Sequence, residues 1–503
     1  MKPCPALPAG SRRLYALCLH LAVGASIWGY NIGVLSSVLV HPGWKSTLGD
    51  PSAAQKGVVT GVYYLGTFLS YVLLSHPLAD WLGRRYAALV GTLVLCLGAL
   101  VMACANGGAA VGTMALGSEV APARERGKFV TMNHVGFIAG LASGLWVGYG
   151  MTYWTGPTGE YWGWRVSVLI QLLPALVFAA GLPFLPDTPR WLVENGDMGR
   201  AGKVLHRLRE GTCAPEATAR ELHAIGADVE SRRRAGQTFL SLSLSLFREA
   251  PLFARLWRAF LLQFMAQMCG ATAMKYYLPT LLKALGVDTR LALMAGAVEM
   301  TAKIGMTVVE MWVIDRFGRR ACLVGGCLVM GVAMLINGAL PLAYPRNANK
   351  AADVVCIAFI FIYAMGYSLG LGPAAWVYSS EIFPTSVRAR GLNFAASGGS
   401  IGSILVAQIW PVGIARLGSG IYFFFMAVNF ICTIWMLYPE TKGRALEDMD
   451  GLFGKSHDRN SAVLLEGAGP SGEDWDGREG EGDEARQSST RDSTEEDAPL
   501  LGQ

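Results

Sequence analysis

The chain carries one charged signature twice, in opposite halves. Asp80, Gly83, Arg84 and Arg85 read D-x-x-G-R-R, and Asp315, Gly318, Arg319 and Arg320 repeat it 235 positions later. A second marker, Ser118-Glu119-Val120-Ala121-Pro122 with Arg126, returns as Ser380-Glu381-Ile382-Phe383-Pro384 with Arg388. A third, Pro186-Asp187-Thr188, returns as Pro439-Glu440-Thr441. Each marker abuts a long apolar run. Self-similarity on this scale means one structural unit built twice, and the apolar runs between the charged markers restrict that unit to a membrane bundle.

Composition agrees: 52% of the 503 residues are hydrophobic and only 16% charged. Runs near the ~20 residues needed to cross a bilayer fall at 14–35, 57–75, 86–104, 129–150, 164–185, 259–282, 291–314, 321–343, 355–379, 391–415 and 419–438, with a weaker one at 107–120. Arg12 and Arg13, the two Gly-Arg-Arg loops, Arg124 to Lys128, the 186–257 linker, Arg388 and Arg390, and Lys442 and Arg444 lie on alternate connections. Cytoplasmic loops collect Lys and Arg, so both termini read as cytoplasmic. The run after Arg13 is too long for a cleavable signal and flows into the fold. The ten cysteines, Cys96, Cys322 and Cys432 among them, mostly sit in apolar spans without CxxC spacing and read as packing residues. The net charge of +5 conceals an acidic tail: residues 451–503 hold 5 Lys/Arg and 13 Asp/Glu. Basic membrane-proximal loops account for the remaining positive charge better than nucleic-acid binding does.

The repeat also serves as a ruler. From Asp315 to Glu381 the second half uses 66 positions for two crossings and their turn, whereas Asp80 to Glu119 spans only 39. About one helix is missing near Ala105–Gly108. A short, tilted or re-entrant fourth span is one reading; truncation by deletion, splicing or a misread gene is the other, and is preferred.

Over residues 12–450 the chain resembles the sugar-porter family of the major facilitator superfamily. The likeness rests on both Gly-Arg-Arg loops, Gly29-Tyr30-Asn31, Trp164-Arg165 and Pro186-Asp187-Thr188-Pro189-Arg190. It rests further on Gln263 and Gln267 before Gly270 with Tyr276-Tyr277, Gly372-Pro373 with Trp376, and Pro439-Glu440-Thr441-Lys442-Gly443. The resemblance implies an all-α membrane protein of about twelve helices in two six-helix bundles related by a pseudo-twofold axis. The expected parts are a cytoplasmic N-terminus at 1–13, bundles at 14–185 and 258–438, a helical linker at 186–257 and a cytoplasmic tail at 439–503, disordered beyond about 452. The family's R-x-x-x-G-x-G stretch is absent from the region where the ruler finds the gap.

By the same resemblance Asp80, Arg84, Arg85, Glu119 and Arg126, with Asp315, Arg319, Arg320, Glu381 and Arg388, form ion-pair clusters that latch an inner gate. Such a latch must be worth only a few kcal/mol if the equilibrium is to turn over. Positive-inside topology alone accounts for Arg84 and Arg85, but not for the recurring acidic partners. His76 replaces the usual Gly near that helix end.

A sugar site needs hydrogen-bonding groups in an otherwise apolar cavity. Gln263 and Gln267 lie one turn apart on one face of the seventh helix, and intramembrane polar groups are functional candidates; interhelical packing is the alternative. Trp376, beside the Gly372-Pro373 break, suits a ring stacked on a sugar face, or a structural aromatic. The resemblance adds Asn31, His134 and Thr272, with departures: Ala266 and Thr272 replace a Gln and an Asn, His134 a Gln, and Ser368, Gly399, Ser400 and Ser403 larger polar or aromatic groups. Glucose is therefore not assumed.

The eighth helix adds charge. Glu299, Lys303 and Glu310, at offsets of 4 and 11, project within about 40° of one another, and Lys303 lies roughly 18 Å from the Asp315 end, near mid-membrane. It aligns with a sugar-binding Asn of the family. Glu299, one turn away, is its expected partner. The pair is either structural, or binds an acidic or heavily hydroxylated substrate with Glu299 or Glu310 as the titrating group. Asn31 stands where the family's proton symporters commonly have Asp, which leans the reading toward facilitated diffusion of a sugar, polyol or sugar acid. Proton symport through Glu299 or Glu310 is the alternative, and a non-transporting nutrient sensor or an inactive truncated carrier is another.

Near its end the tail reads Glu496-Asp497-Ala498-Pro499-Leu500-Leu501, an acidic dileucine pattern of the kind read by clathrin adaptors; the expected location is the plasma membrane, or a vacuolar or endosomal membrane if that signal operates, and a chance match is the alternative. There is no phosphate-binding Gly-Lys-Ser/Thr loop, no metal-ligand cluster and no nucleophile with a base, so neither an enzyme nor a cofactor is expected.

Overall fold

The computed structural model describes residues 9–74, 78, 81–104, 128–211, 214–234, 239–345, 348–384 and 387–435, all within one compact unit, Met1–Gly454. Among the described residues every regular element is helical. The first half contains α1 (Ala9–Val38), α2 (Pro42–Thr47), α3 (Ala53–Leu69, continued by a π turn at Ser70–Leu74), α4 (Arg84–Cys104), α5 (Lys128–Met151), α6 (Pro157–Leu169) and α7 (Leu172–Gly181). Four helices follow in the linker: α8 (Pro189–Glu194), α9 (Met198–Arg209), α10 (Pro215–Arg234) and α11 (Phe239–Arg248). The second half contains α12 (Ala250–Met268), α13 (Ala271–Ala284), α14 (Thr289–Phe317), α15 (Arg319–Ala343), α16 (Lys350–Gly370), α17 (Gly372–Glu381), α18 (Arg388–Leu417) and α19 (Gly420–Trp435).

Seven stretches among the described residues are long and apolar enough to cross a membrane: Ser11–Val38, Arg84–Cys104, Pro157–Phe184, Thr289–Glu310, Arg319–Ala343, Lys350–Glu381 and Arg390–Leu417. Gly420–Ile434 is apolar but shorter. The seventh expected span is broken where Gly270 takes a left-handed φ of +101° between α12 and α13. The tenth is interrupted between Gly370 and Gly372, where Pro373 starts α17 as its second residue, a position at which proline's missing N–H costs no helical bond. The weak run at 107–120, Asp80, His76, Glu119, Arg126 and the tail from 436 onward, including Glu496, Leu500 and Leu501, lie outside the described residues.

Helix pairing repeats between the halves. α1 packs on α5 as α12 packs on α18, and across the seam α3 packs on α18 as α14 packs on α5. Glycines bring the equivalent pairs into backbone contact. A Cβ at Gly140 on α5 would lie 1.9 Å from the Ser26 carbonyl oxygen of α1, and one at Gly398 on α18 would lie 2.5 Å from the Phe260 carbonyl oxygen of α12. The repeated signature is a backbone device as well as a charge pattern. Gly83 and Gly318 both hold positive φ, +84° and +90°, so the same non-glycine-hostile turn starts α4 and α15.

Candidate functional site

The buried polar groups gather where the halves meet. On α12, Gln263 is almost wholly buried and its Nε2 donates to Ser379 Oγ of α17 over 3.4 Å. One turn on, Gln267 Oε1 accepts from Thr272 Oγ1 at 3.1 Å, and Thr272 also bonds Ser403 Oγ of α18 at 3.1 Å. The break at Gly270 makes this geometry, because it lets Thr272 on α13 turn back toward the end of α12.

Lys303 is the fifteenth residue of the 29-residue α14, which sets it at mid-helix. Its Nζ lies 3.5 Å from Glu299 Oε1 and 5.7 Å from the centre of the Tyr367 ring on α16. Glu299 and Lys303 are both buried, at 4% and 8% exposure. A buried ammonium needs a partner, and Glu299 one turn away supplies it. Glu310, two turns further along, is fully buried, and its oxygens make no well-formed hydrogen bond among the described residues; the Ala374 amide faces them loosely.

Sequence reasoning missed Lys275. It lies on α13 directly before Tyr276-Tyr277, with its Nζ 5.1 Å from the same Tyr367 ring and 6.0 Å from the Phe137 ring of α5. The signal was available, since Lys275 is an ionisable residue inside the expected 259–282 span. His134 stands in the same group: its ring is 5.7 Å from Phe137, and its Nε2 would be 3.4 Å from a Cβ at Gly372. Tyr367 lies beside Gln267, so the glutamine and lysine clusters share a wall.

Two expected members sit elsewhere. Asn31 is buried within the first half, lining a narrow cavity with Tyr63, Met102 and Gln171, and the Gln171 Oε1 has no hydrogen-bond partner among the described residues. Trp376 is half-buried on α17, with no hydrogen bond among the described residues.

The charged loops divide similarly. Arg319 and Glu381 form an ion pair at 3.0 Å, and Arg388 donates to the Phe383 carbonyl from Nε and from a terminal nitrogen, at 3.1 and 3.0 Å. In the first half Arg84 reaches Glu194 at 3.9 Å and Arg85 reaches Asp187 at 4.0 Å, so both arginines face the start of the linker. Arg320 is exposed, and the Asp315 side chain lies outside the described residues.

The halves are also joined by direct bonds, two of them toward the end remote from the Gly-Arg-Arg loops and the third, from Trp146, at the middle of α14. Ser36 Oγ donates to the Tyr276 carbonyl at 3.0 Å, Thr60 Oγ1 and Tyr277 Oη are 3.3 Å apart, and Trp146 Nε1 donates to Thr301 Oγ1 at 3.1 Å.

Comparison with known proteins agrees with this architecture. The family model described as "Sugar (and other) transporter" matches residues 17–453. The MFS-type transporter qa-x of Neurospora crassa is 27% identical, over 88% of this chain and 88% of its own length. Sugar transport protein MST7 of Oryza sativa subsp. japonica is 28% identical, over 88% and 91%. The quinate permease of Neurospora terricola is 27% identical, over 90% and 91%. Among solved structures, the proton:xylose symporter XylE bound to 6-bromo-6-deoxy-D-glucose superposes with a TM-score of 0.72 at 21% identity, covering 88% of this chain and 100% of that one. The fold is therefore the all-α major facilitator fold of a multi-pass membrane protein, and the chain belongs to the sugar (and other) transporter family.

Proposed function

We propose that this chain carries a polyhydroxylated small molecule (a sugar, polyol or sugar acid) across a membrane by alternating access. The observation that carries the reading is the buried polar cluster at the seam: α5 of one half and α12, α13, α14 and α16 of the other contribute His134, Gln267, Lys275, Lys303 and Tyr367. A carrier needs its ligand groups divided between two bodies that move, because rocking of one half against the other then changes which side reaches them. Gln263, Gln267, Thr272, His134 and Lys303 bind the cargo in this reading. Trp376 is kept as a stacking ring near the α16–α17 break, and Asn31 as a polar group at the periphery. The bundles at 14–185 and 258–438 rock about the 186–257 linker, with both termini on the cytoplasmic side.

Arg319–Glu381, Arg388 and their first-half counterparts Asp80, Arg84, Arg85, Glu119 and Arg126 serve as the latch at the loop end. The acidic dileucine at Glu496, Leu500 and Leu501 serves as a sorting signal for a clathrin adaptor. Asn31 cannot titrate, which favours facilitated diffusion. Proton symport stays as a second reading because Glu310 is buried without a cation within ion-pair distance among the described residues. The direct test is counterflow in proteoliposomes holding purified protein, with labelled D-glucose, myo-inositol and D-glucuronate as probes. Trans-stimulated uptake of at least one is expected; no exchange of any would overturn the reading, and a requirement for an imposed pH gradient would select symport.

A further inference from the structure

The two lysines at the seam are not equivalent. Lys303 has Glu299 at 3.5 Å, whereas Lys275 has no carboxylate within ion-pair distance among the described residues and faces the rings of Tyr367 and Phe137. Both ammonium groups approach one Tyr367 ring, so two like charges lie close together in a largely buried space. A ring face attracts a cation far more weakly than the hydration that an ammonium gives up on leaving water. Glu310 is the other carboxylate of this region, but it lies two turns along α14 and pairs with neither lysine. His134 stands near both lysines and adds no negative charge.

We infer that Lys275 and Lys303 form a carboxylate-binding subsite, so that the cargo is a hydroxylated organic acid rather than a neutral sugar. This rests on the carrier reading above and sharpens its substrate class. A carboxylate set beside Tyr367 meets Lys275 as its principal cation and Lys303 as a cation already shared with Glu299, and it relieves the repulsion between the two ammonium groups. The rest of such a molecule lies toward Gln267 and Thr272, whose amide and hydroxyl suit ring hydroxyls. A neutral sugar would leave the Lys275 charge without an anion, the kind of unpaired polar group by which a site rejects the wrong ligand.

The matched probes are D-glucuronate and D-glucose, which differ by a carboxylate at one carbon, with quinate as a second acid. Counterflow is measured in proteoliposomes holding the wild type, Lys275→Gln or Lys275→Arg. The wild type is expected to exchange at least one acid with an apparent affinity tenfold or more above that for glucose. Lys275→Gln should lose at least tenfold in acid affinity, a loss several times larger than any it shows for glucose, and Lys275→Arg should keep most of the acid affinity. Thermal unfolding in detergent guards against a folding defect: acid should raise the wild-type midpoint but not that of Lys275→Gln. Exchange of glucose without either acid, or full acid affinity in Lys275→Gln, overturns the inference and leaves the carrier reading standing. Absence of exchange for every probe overturns both.

Discussion

The Ser36 hydroxyl donates to the Tyr276 carbonyl over 3.0 Å, joining α1 of the first half to α13 of the second across 240 positions of sequence. With Thr60 and Tyr277 at 3.3 Å, it closes the seam at the end remote from the Gly-Arg-Arg loops. In a rocking carrier these bonds exist in one state and part in the other. Each neutral bond is worth about 1 kcal/mol. The double variant Ser36→Ala/Thr60→Ala removes about 2 kcal/mol and should therefore move the conformational equilibrium by roughly thirtyfold toward the state open at that end. Labelling of a cysteine introduced beside Tyr277 measures it; unchanged labelling would show that the bonds do not contribute to the gate.

Lys303 and Glu299 make the sharpest mutational test. Lys303→Met leaves the Glu299 carboxylate buried beside an apolar side chain, and breaking a buried pair from one side costs about 3–5 kcal/mol. Lys303→Met/Glu299→Gln removes both charges and should recover most of that loss. If the pair also serves the cargo, uptake stays below a tenth of wild type in both variants. Recovery of uptake together with stability would make the pair purely structural. Thermal midpoints and counterflow on the same preparations separate the two.

The legible parts of the molecule are those that repeat or that act locally. Gly83 and Gly318 could be paired from sequence because the same turn recurs with the same arginines, and the structure gives both the left-handed φ such a turn needs. Lys303 and Glu299 were legible because a helix sets residues four apart on one face. Long-range partners were not. Nothing local shows that Arg84 and Arg85 face Glu194 and Asp187 of the linker, or that Asn31 looks into its own half toward Gln171. Lys275 was hidden for a different reason: it stands directly before the familiar Tyr276-Tyr277 pair, so the motif drew attention away from the charge.

Close helix contact predicts a steep dependence on side-chain size at Gly140. A methyl group there meets the Ser26 carbonyl oxygen at 1.9 Å, so α1 and α5 must separate. Overpacking of this kind costs about 1–3 kcal/mol. Gly325, on an exposed face of α15 with open space around its Cβ position, provides the contrast. There alanine should stabilise the helix by about 0.5–1 kcal/mol. Thermal unfolding of Gly140→Ala and Gly325→Ala should give shifts of opposite sign; two equal shifts would mean that the contact is not tight.

His41 predicts an acid-sensitive turn outside the spans. Its Nδ1 accepts from the Gly43 amide at 3.2 Å and caps α2, which requires an unprotonated ring nitrogen. Burial holds the imidazole's pKa below its ordinary 6.5, against a smaller opposing pull from Glu160. The unfolded chain thus takes up this proton before the folded one does. The stability that neutral His41 contributes is complete above about pH 6.5 and is lost as pH falls from there through the folded pKa. His41→Asn keeps an acceptor for the Gly43 amide but does not titrate. Between pH 7 and pH 5 the wild-type melting temperature should fall more steeply than that of His41→Asn, while at pH 7.5 the two should differ little. Parallel slopes over that interval would show that the cap does not carry the proton linkage.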